Sequence, residues 1–123
     1  MAKLRNIDKI FALNNGERVT IGHNRTIEKA LLGGAMRYVC RLHGHPIMTA
    51  ALGSDGHLFV TLDDCGYCTR TTAQAMQDFA KAFGARLGVS IAGGELSLRW
   101  YQDGWKEREA IDGRAAITMD RYA

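Results

Sequence analysis

Three cysteines and two histidines have spacings that could hold a metal ion. The pattern is Cys40-x-x-His43-x-His45, followed 20 residues later by Cys65-x-x-Cys68. Zinc takes four tetrahedral nitrogen and sulfur ligands, commonly supplied as two closely spaced pairs. The spacing therefore gives one hypothesis, a structural zinc ion held by Cys40, His43, Cys65 and Cys68. The alternative is no cofactor and three unligated thiols, because Cys40 belongs to an apolar stretch where a free cysteine acts as a small hydrophobic residue.

Catalytic patterns are not found elsewhere in the chain. Asp63 and Asp64 are adjacent carboxylates at the end of a predicted strand. Consecutive strand residues point to opposite faces, so this pair is not expected to share a proton. The sequence contains no phosphate-binding loop, GxGxxG run, HExxH, GxSxG or calcium-binding loop. We therefore predict that the protein is not an enzyme.

Aromatic and basic residues are interleaved near the C-terminus. The aromatic residues are Trp100, Tyr101, Trp105 and Tyr122, and the basic ones are Arg99, Lys106 and Arg108. Such a mixture suits either stacking on nucleic-acid bases or an aromatic-plus-arginine protein interface. Several acidic residues in the same stretch favour the protein interface: Asp103, Glu107, Glu109 and Asp112. The alternative role is structural, with Trp100 in the core and Trp105 covering a sheet edge.

Periodicity indicates a helical N-terminus followed by strands. Leu4, Ile7, Ile10 and Phe11 recur at spacings of three and four, which predicts a helix. A short extended stretch is predicted over 18–21, and a helical turn over 27–32, closed by two glycines. Strict alternation then predicts three strands over 35–42, 47–52 and 57–62.

The central helix has the clearest signals. Thr71 to Gln74 are spaced as a capping box, and Met76, Phe79, Ala80 and Phe83 form an apolar stripe ahead of Gly84. Alternation returns over 95–101, 105–111 and 114–119, with Asp-Gly turns between these stretches. The order β-β-β-α-β-β-β predicts an α+β fold, in which the helix covers one face of an antiparallel sheet made of two meanders.

The segment over 41–79 resembles a family. Its run RLHGHPIMTAALGSDGHLFVTLDDCGYCTRTTAQAMQDF is similar to a group of small uncharacterised phage and prophage accessory proteins that carry an "RLH…GY-x-T-x-TT" segment. The residues that match are Arg41, Leu42, His43, Ile47, Gly56, Leu62, Gly66, Tyr67, Thr69, Thr71, Thr72 and Met76. The resemblance implies a mobile-element context, in which such proteins bind or block a host macromolecule. It implies no chemistry.

Charge is unevenly distributed along the chain. Residues 1–61 hold eight Lys and Arg against four Asp and Glu, whereas residues 62–123 hold eight against nine. A basic N-terminal half permits a second function, the binding of nucleic acid through phosphate contacts. The candidate residues for that alternative are Arg25, Lys29, Arg37, Arg41 and Arg70.

Length and composition limit the class of protein. With 123 residues, 46% of them hydrophobic, the chain is expected to form a single domain over 1–123. Its apolar runs are far shorter than the ~20 residues of a membrane helix, and no apolar core of an export signal is present. Three cysteines without such a signal indicate a reducing cytoplasm.

The predicted function is a non-enzymatic binding module that engages or blocks a host protein or protein complex, such as a defence complex. The residues expected to contact the partner are Tyr67, Arg70, Thr71, Thr72, Arg99, Tyr101, Trp105 and Arg108. A small nucleic-acid-binding domain, with or without structural zinc, is the alternative.

Overall fold

Strands dominate the part of the chain that the structure describes. A computed structural model describes residues 6–53 and 55–121, and Leu4 and Tyr122 of the sequence predictions lie outside them. Two helices and nine strands are found within those ranges. They are α1 (Asn6–Phe11), β1 (Arg18–Gly22), β2 (Arg25–Leu32), β3 (Ala35–Leu42), β4 (His45–Leu52), β5 (Leu58–Asp63), α2 (Arg70–Ala82), β6 (Leu87–Ala92), β7 (Glu95–Tyr101), β8 (Trp105–Glu109) and β9 (Arg114–Met119).

The strands form two antiparallel sheets. The larger has six strands in the order β1-β2-β3-β4-β5-β9, and the smaller has the order β6-β7-β8. One register row of the larger sheet joins Ile27, Cys40, Met48 and Leu62, all of them buried. Since alternate residues point to opposite faces, this row identifies the face that lies on the core.

Helix α2 packs on the core side, against β6 and also against β3 and β4. Its stripe of Met76, Phe79, Ala80 and Phe83 is fully buried, as predicted. The rings of Tyr38 and Phe83 meet edge to face at 5.4 Å, which joins the helix end to β3. One hydrophobic cluster includes residues of both helices and both sheets.

The predicted α+β class with a single sheet of two meanders is wrong. Of the described residues, 54% lie in strands and 17% in helices, and the strands belong to two sheets. The helical N-terminus and the central helix are present, but they match the predicted arrangement only in part.

The first error is the helical turn predicted over 27–32. This stretch is the strand β2, which pairs with β3 over eight residues from Arg25↔Leu42 to Leu32↔Ala35. Gly33 and Gly34 have φ angles of +57° and +80°. Two consecutive positive φ values make the tight turn whose twist suits a hairpin. The two glycines therefore reverse the chain between strands rather than ending a helix.

The second error concerns the C-terminal meander. Strand β8 pairs with β7 as expected, but β9 leaves that sheet and pairs with β5. All five residues of β8 are exposed, whereas Ile117 and Met119 of β9 are buried. Beside β5 these two side chains join the apolar face formed by Leu58 and Val60. The strand β6 was not predicted, and it supplies the third strand of the smaller sheet.

Candidate functional site

The β3–β4 turn and the loop ahead of α2 meet at one end of the larger sheet. The β3–β4 turn brings His43 and His45 next to the loop that leads into α2. Together they border a groove of about 370 Å³. The rings of His45 and Tyr67 lie 5.0 Å apart across it. The groove is lined by Leu42, His43, His45, Ile47, Asp64, Tyr67, Thr69, Thr71 and Thr72.

Threonine hydroxyls at this groove serve the start of α2. Thr69 is the N-cap, and its Oγ1 accepts a hydrogen bond from the backbone N–H of Thr72 at 3.2 Å. The helix therefore begins two residues before the predicted capping box at Thr71. Thr72 is only 2% exposed, so it is closed to a partner. Tyr67, Arg70 and Thr71 are exposed and remain candidates for contact.

The paired carboxylates build the turn ahead of the helix. Asp63 Oδ1 accepts the N–H of Cys65 at 2.8 Å, and Asp64 Oδ1 accepts the N–H of Gly66 at 2.9 Å. Cys65 and Gly66 both have positive φ angles, +54° and +84°. Carboxylates that bond the backbone two residues ahead are typical of Asx turns. Both carboxylates therefore stabilise the turn that leads into α2.

The three cysteines of the zinc hypothesis differ in burial, since Cys65 and Cys68 are partly exposed. Cys40 is fully buried, and burial raises the pKa of its thiol strongly. Burial also raises the pKa values of Cys65 and Cys68. Among the described residues, no group of three or more His, Cys, Asp or Glu side chains could hold a metal ion. The structure therefore does not bring Cys40, His43, Cys65 and Cys68 into the arrangement that the zinc hypothesis requires.

The basic residues proposed for nucleic acid lie on different faces. Arg25 and Lys29 lie on the same face of β2 as Ile27, which is the core side. Glu28 lies on the opposite face. Arg37 and Arg41 lie on the outer face, as the register with β2 shows. Two of these charges are already paired, Arg25 with Asp78 and Arg41 with Glu28. The set of Arg25, Lys29, Arg37, Arg41 and Arg70 therefore does not form one patch, and nucleic-acid binding through it stays a prediction.

The hairpin of β7 and β8 carries the most distinctive surface, here named the Trp105 ladder. The ladder consists of Arg86, Tyr101, Trp105 and Arg99. The Arg86 guanidinium lies 5.5 Å from the Tyr101 ring, and that ring meets Trp105 edge to face at 5.6 Å. The Arg99 guanidinium lies 4.7 Å from the Trp105 ring. Two adjacent aromatic rings therefore lie between two guanidinium groups on the outward face of the smaller sheet.

One member of the predicted partner set faces elsewhere. Arg108 lies on the other side of the hairpin, 5.8 Å from the Trp100 ring, and its Nη1 donates to Ala116 O at 3.2 Å. Trp100 is buried in the core, as the structural alternative predicted. Arg86 was missed because it precedes the alternating stretch. Its place beside Tyr101 follows from β6, a strand the sequence did not reveal.

Asp120 fixes the turn of the hairpin to the larger sheet. Its Oδ2 accepts the N–H of Asp103, in the β7–β8 turn, at 2.7 Å. Its Oδ1 lies 3.0 Å from His57 Nε2. The other imidazole nitrogen, Nδ1, lies 2.6 Å from Asp55 Oδ2. His57 therefore bridges the β4–β5 turn and the residue that holds the ladder's hairpin.

We expect this bridge to weaken as the pH rises. The hydrogen bond to Asp55, followed by the charges of Asp55 and Asp120, raises the pKa of His57 above its ordinary value of 6.5. A raised pKa in the folded state adds stability that is complete below about pH 6.5 and is lost as the pH passes the folded-state pKa. The melting temperature of the wild type should therefore decrease as the pH is raised from about 6.5 to about 8.

The control for this prediction is His57→Gln, which keeps a polar side chain without the titration. Its unfolding midpoint should depend less on pH than that of the wild type over the same range. Equal pH dependence of the two proteins would contradict the bridge. The pKa of His57 itself can be read from the imidazole signals in an NMR titration, and a value at or below 6.5 would also contradict it.

Comparison with known proteins gives no relative from which a function could be inferred. No protein-family model, curated protein or solved structure matches this chain significantly. Within the described residues, no helix is long and apolar enough to span a membrane. The candidate surfaces must therefore be judged on their own geometry, and the Trp105 ladder combines an exposed indole with flanking arginines.

Proposed function

We propose that this chain is a non-enzymatic binding module that engages a host protein through the Trp105 ladder. The observation that carries the proposal is the exposed indole of Trp105, 49% accessible and held between Tyr101 and Arg99. Tryptophan, tyrosine and arginine are the residues most often responsible for binding energy at protein interfaces. Their preformed contacts also reduce the entropy lost on binding.

The charges and the strand edge around the ladder support a protein rather than a nucleic acid as partner. Strand β8 reads Trp105-Lys-Glu-Arg-Glu109, with both signs interspersed. A polyanion would be repelled by Glu107 and Glu109, whereas a protein interface tolerates a mixed rim. Among the described strands, β8 pairs with β7 alone. Its second edge therefore offers backbone groups to a partner in addition to the side chains.

The same proposal includes the context suggested by the family resemblance. A phage or mobile-element accessory protein would meet its host partner in the cytoplasm. The cysteines support that compartment, since Cys40, Cys65 and Cys68 are all free and a reducing environment keeps thiols in this state. The proposed role is to engage or block a host complex, for which binding alone is sufficient.

The test is capture of partners from host lysate by the immobilised protein, with variants that separate the ladder from the rest of the surface. Trp105→Ala should weaken the affinity for a stoichiometric partner about 30-fold or more, which is the effect of a central interface residue. The amount of captured partner should fall accordingly. Ile111→Ala is the matched control, because Ile111 is 77% exposed and follows the same hairpin outside the ladder.

The outcomes are distinct. A partner retained by wild type and by Ile111→Ala but lost by Trp105→Ala would support the proposal. Recovery of no stoichiometric protein by the wild type would count against a protein partner. Equal capture by wild type and Trp105→Ala would show that another surface binds. Far-UV circular dichroism of each variant confirms that the strands are intact before capture is compared.

A further inference from the structure

A second groove lies between the outer face of the larger sheet and the hairpin of β7 and β8. It encloses about 400 Å³. Its sheet side is formed by β3, β4, β5 and β9, where Phe59 lies opposite Thr118 in the register. Its hairpin side is formed by Trp100 and Arg108. The residues that the argument uses are Arg37, Phe59, Thr61, Thr118, Trp100 and Arg108.

The polar groups of this groove are mainly hydrogen-bond donors. Arg37 enters from β3 and Arg108 from β8, and each guanidinium carries a permanent positive charge. The hydroxyls of Thr61 and Thr118 add neutral groups that can donate. Among the described residues that line the groove, none is acidic. Arg37 and Arg108 both line the groove, and no carboxylate lines it beside them. This pair can bind an anion, since charge-assisted hydrogen bonds to oxyanions are strong.

Trp100 forms a largely buried wall of the groove. Trp100 is 5% exposed, and its Nε1–H is the one buried side-chain polar atom of the described residues that has no hydrogen-bond partner. Because Trp100 lines the groove, a bound ligand should change the environment of its indole.

Phe59 gives the groove an exposed aromatic surface. Its ring is 45% exposed on the outer face of β5. The ring also lies against Gly53, where an added Cβ would come within 2.6 Å of Phe59 Cε2. The absence of a side chain at position 53 therefore leaves room for the ring in this position. An aromatic side chain held open on a sheet face can stack against a flat ligand group.

We propose that this groove binds a small organic anion with a flat apolar portion. Arg37 and Arg108 hold the anionic group, a phosphate or a carboxylate, and Phe59 stacks against the flat portion. The indole of Trp100 lies beside the bound ligand. This site lies on the opposite side of the hairpin from the Trp105 ladder, so it does not depend on the proposed protein partner.

The two tryptophans make a direct test available. The protein contains only Trp100 and Trp105, one at each surface, and each gives one indole N–H signal in a ¹⁵N-resolved NMR spectrum. The probes are adenosine monophosphate and naphthoate, which pair an aromatic group with a phosphate or a carboxylate. The expected result is a saturable shift of the Trp100 signal with at least one probe, while the Trp105 signal stays in place. The Trp105→Phe variant assigns the two signals.

Substitutions locate the binding groups. Arg37→Gln should weaken binding about tenfold, the effect of losing one charge-assisted hydrogen bond. Arg18→Gln removes the same charge from β1, away from the groove, and should leave the affinity unchanged. Arg37 is the informative position because Arg108 also contacts Trp100 and Ala116, so its loss could alter the hairpin.

Three results would overturn the proposal. One is a Trp100 signal that does not move with either probe at millimolar concentration. The second is equal binding of adenosine, which lacks the anionic group. The third is equal loss of affinity in Arg37→Gln and Arg18→Gln, which would show general attraction to a basic protein. None of these results bears on the Trp105 ladder, which is tested separately.

Discussion

Replacing Gly113 with alanine should lower the free energy of unfolding by about 3 kcal/mol. Gly113 has a φ angle of +75°, which L-residues adopt at a cost of about 1 kcal/mol or more. An added Cβ would also lie 2.4 Å from both carboxylate oxygens of Asp64. Asp64 cannot retreat freely, because its Oδ1 accepts the N–H of Gly66 and its backbone N–H donates to Gly113 O. The clash therefore disturbs the turn that leads into α2.

The measurement is urea unfolding, with Gly44→Ala as the matched control. Gly44 has a similar φ angle of +82° but no atom within 4 Å of the added Cβ. Its variant should lose only about 1 kcal/mol, the cost of backbone strain. In an Asp64→Ala background, the further cost of Gly113→Ala should fall to the same value. Equal losses for Gly113→Ala and Gly44→Ala in the wild-type background would show that the Asp64 contact carries no energy.

Local signals in the sequence were sufficient for the elements with strong periodicity. The stripe of α2 was placed correctly because Met76, Phe79 and Ala80 recur at helical spacing and nothing competes with that pattern. Strand β3 followed from alternation over 35–42. In contrast, β2 alternates poorly, since Ala30, Leu31 and Leu32 are three consecutive apolar residues. The long-range pairing with β3 decides its structure, and pairing partners cannot be read from one segment.

The candidate surfaces show the same limit. Arg99, Tyr101 and Trp105 were found from their spacing in a hairpin, because residues of one hairpin face their own neighbours. Arg108 lies on the other face of the hairpin because it is opposite Leu98 in the register, and it donates to Ala116 O on β9. The groove with Arg37 and Phe59 joins residues from β3, β5 and β8. No local pattern contains such a set, and it emerges only from the order of the strands.

The strands form two sheets, and substitution of Phe79 tests whether these sheets unfold together. Phe79 is completely buried on α2, which packs against both β6 and the strands of the larger sheet. Phe79→Ala removes a large side chain and leaves a cavity, which typically costs about 3–5 kcal/mol. With an m value of about 2 kcal/mol/M, the urea midpoint should fall by about 2 M. Phe59→Ala, half exposed on the outer face, should cost about 1 kcal/mol.

Two probes show whether the sheets unfold together. Both tryptophans lie in the smaller sheet, on β7 and β8, so their fluorescence reports on that sheet. Far-UV circular dichroism averages over all strands, most of which belong to the larger sheet. Coincident transitions, shifted equally by Phe79→Ala, are expected for one domain with a shared core, since two-state unfolding gives the same midpoint by every probe. A fluorescence transition that moves alone would show that the smaller sheet is a separate unit docked on α2, and the single-domain prediction would then be wrong.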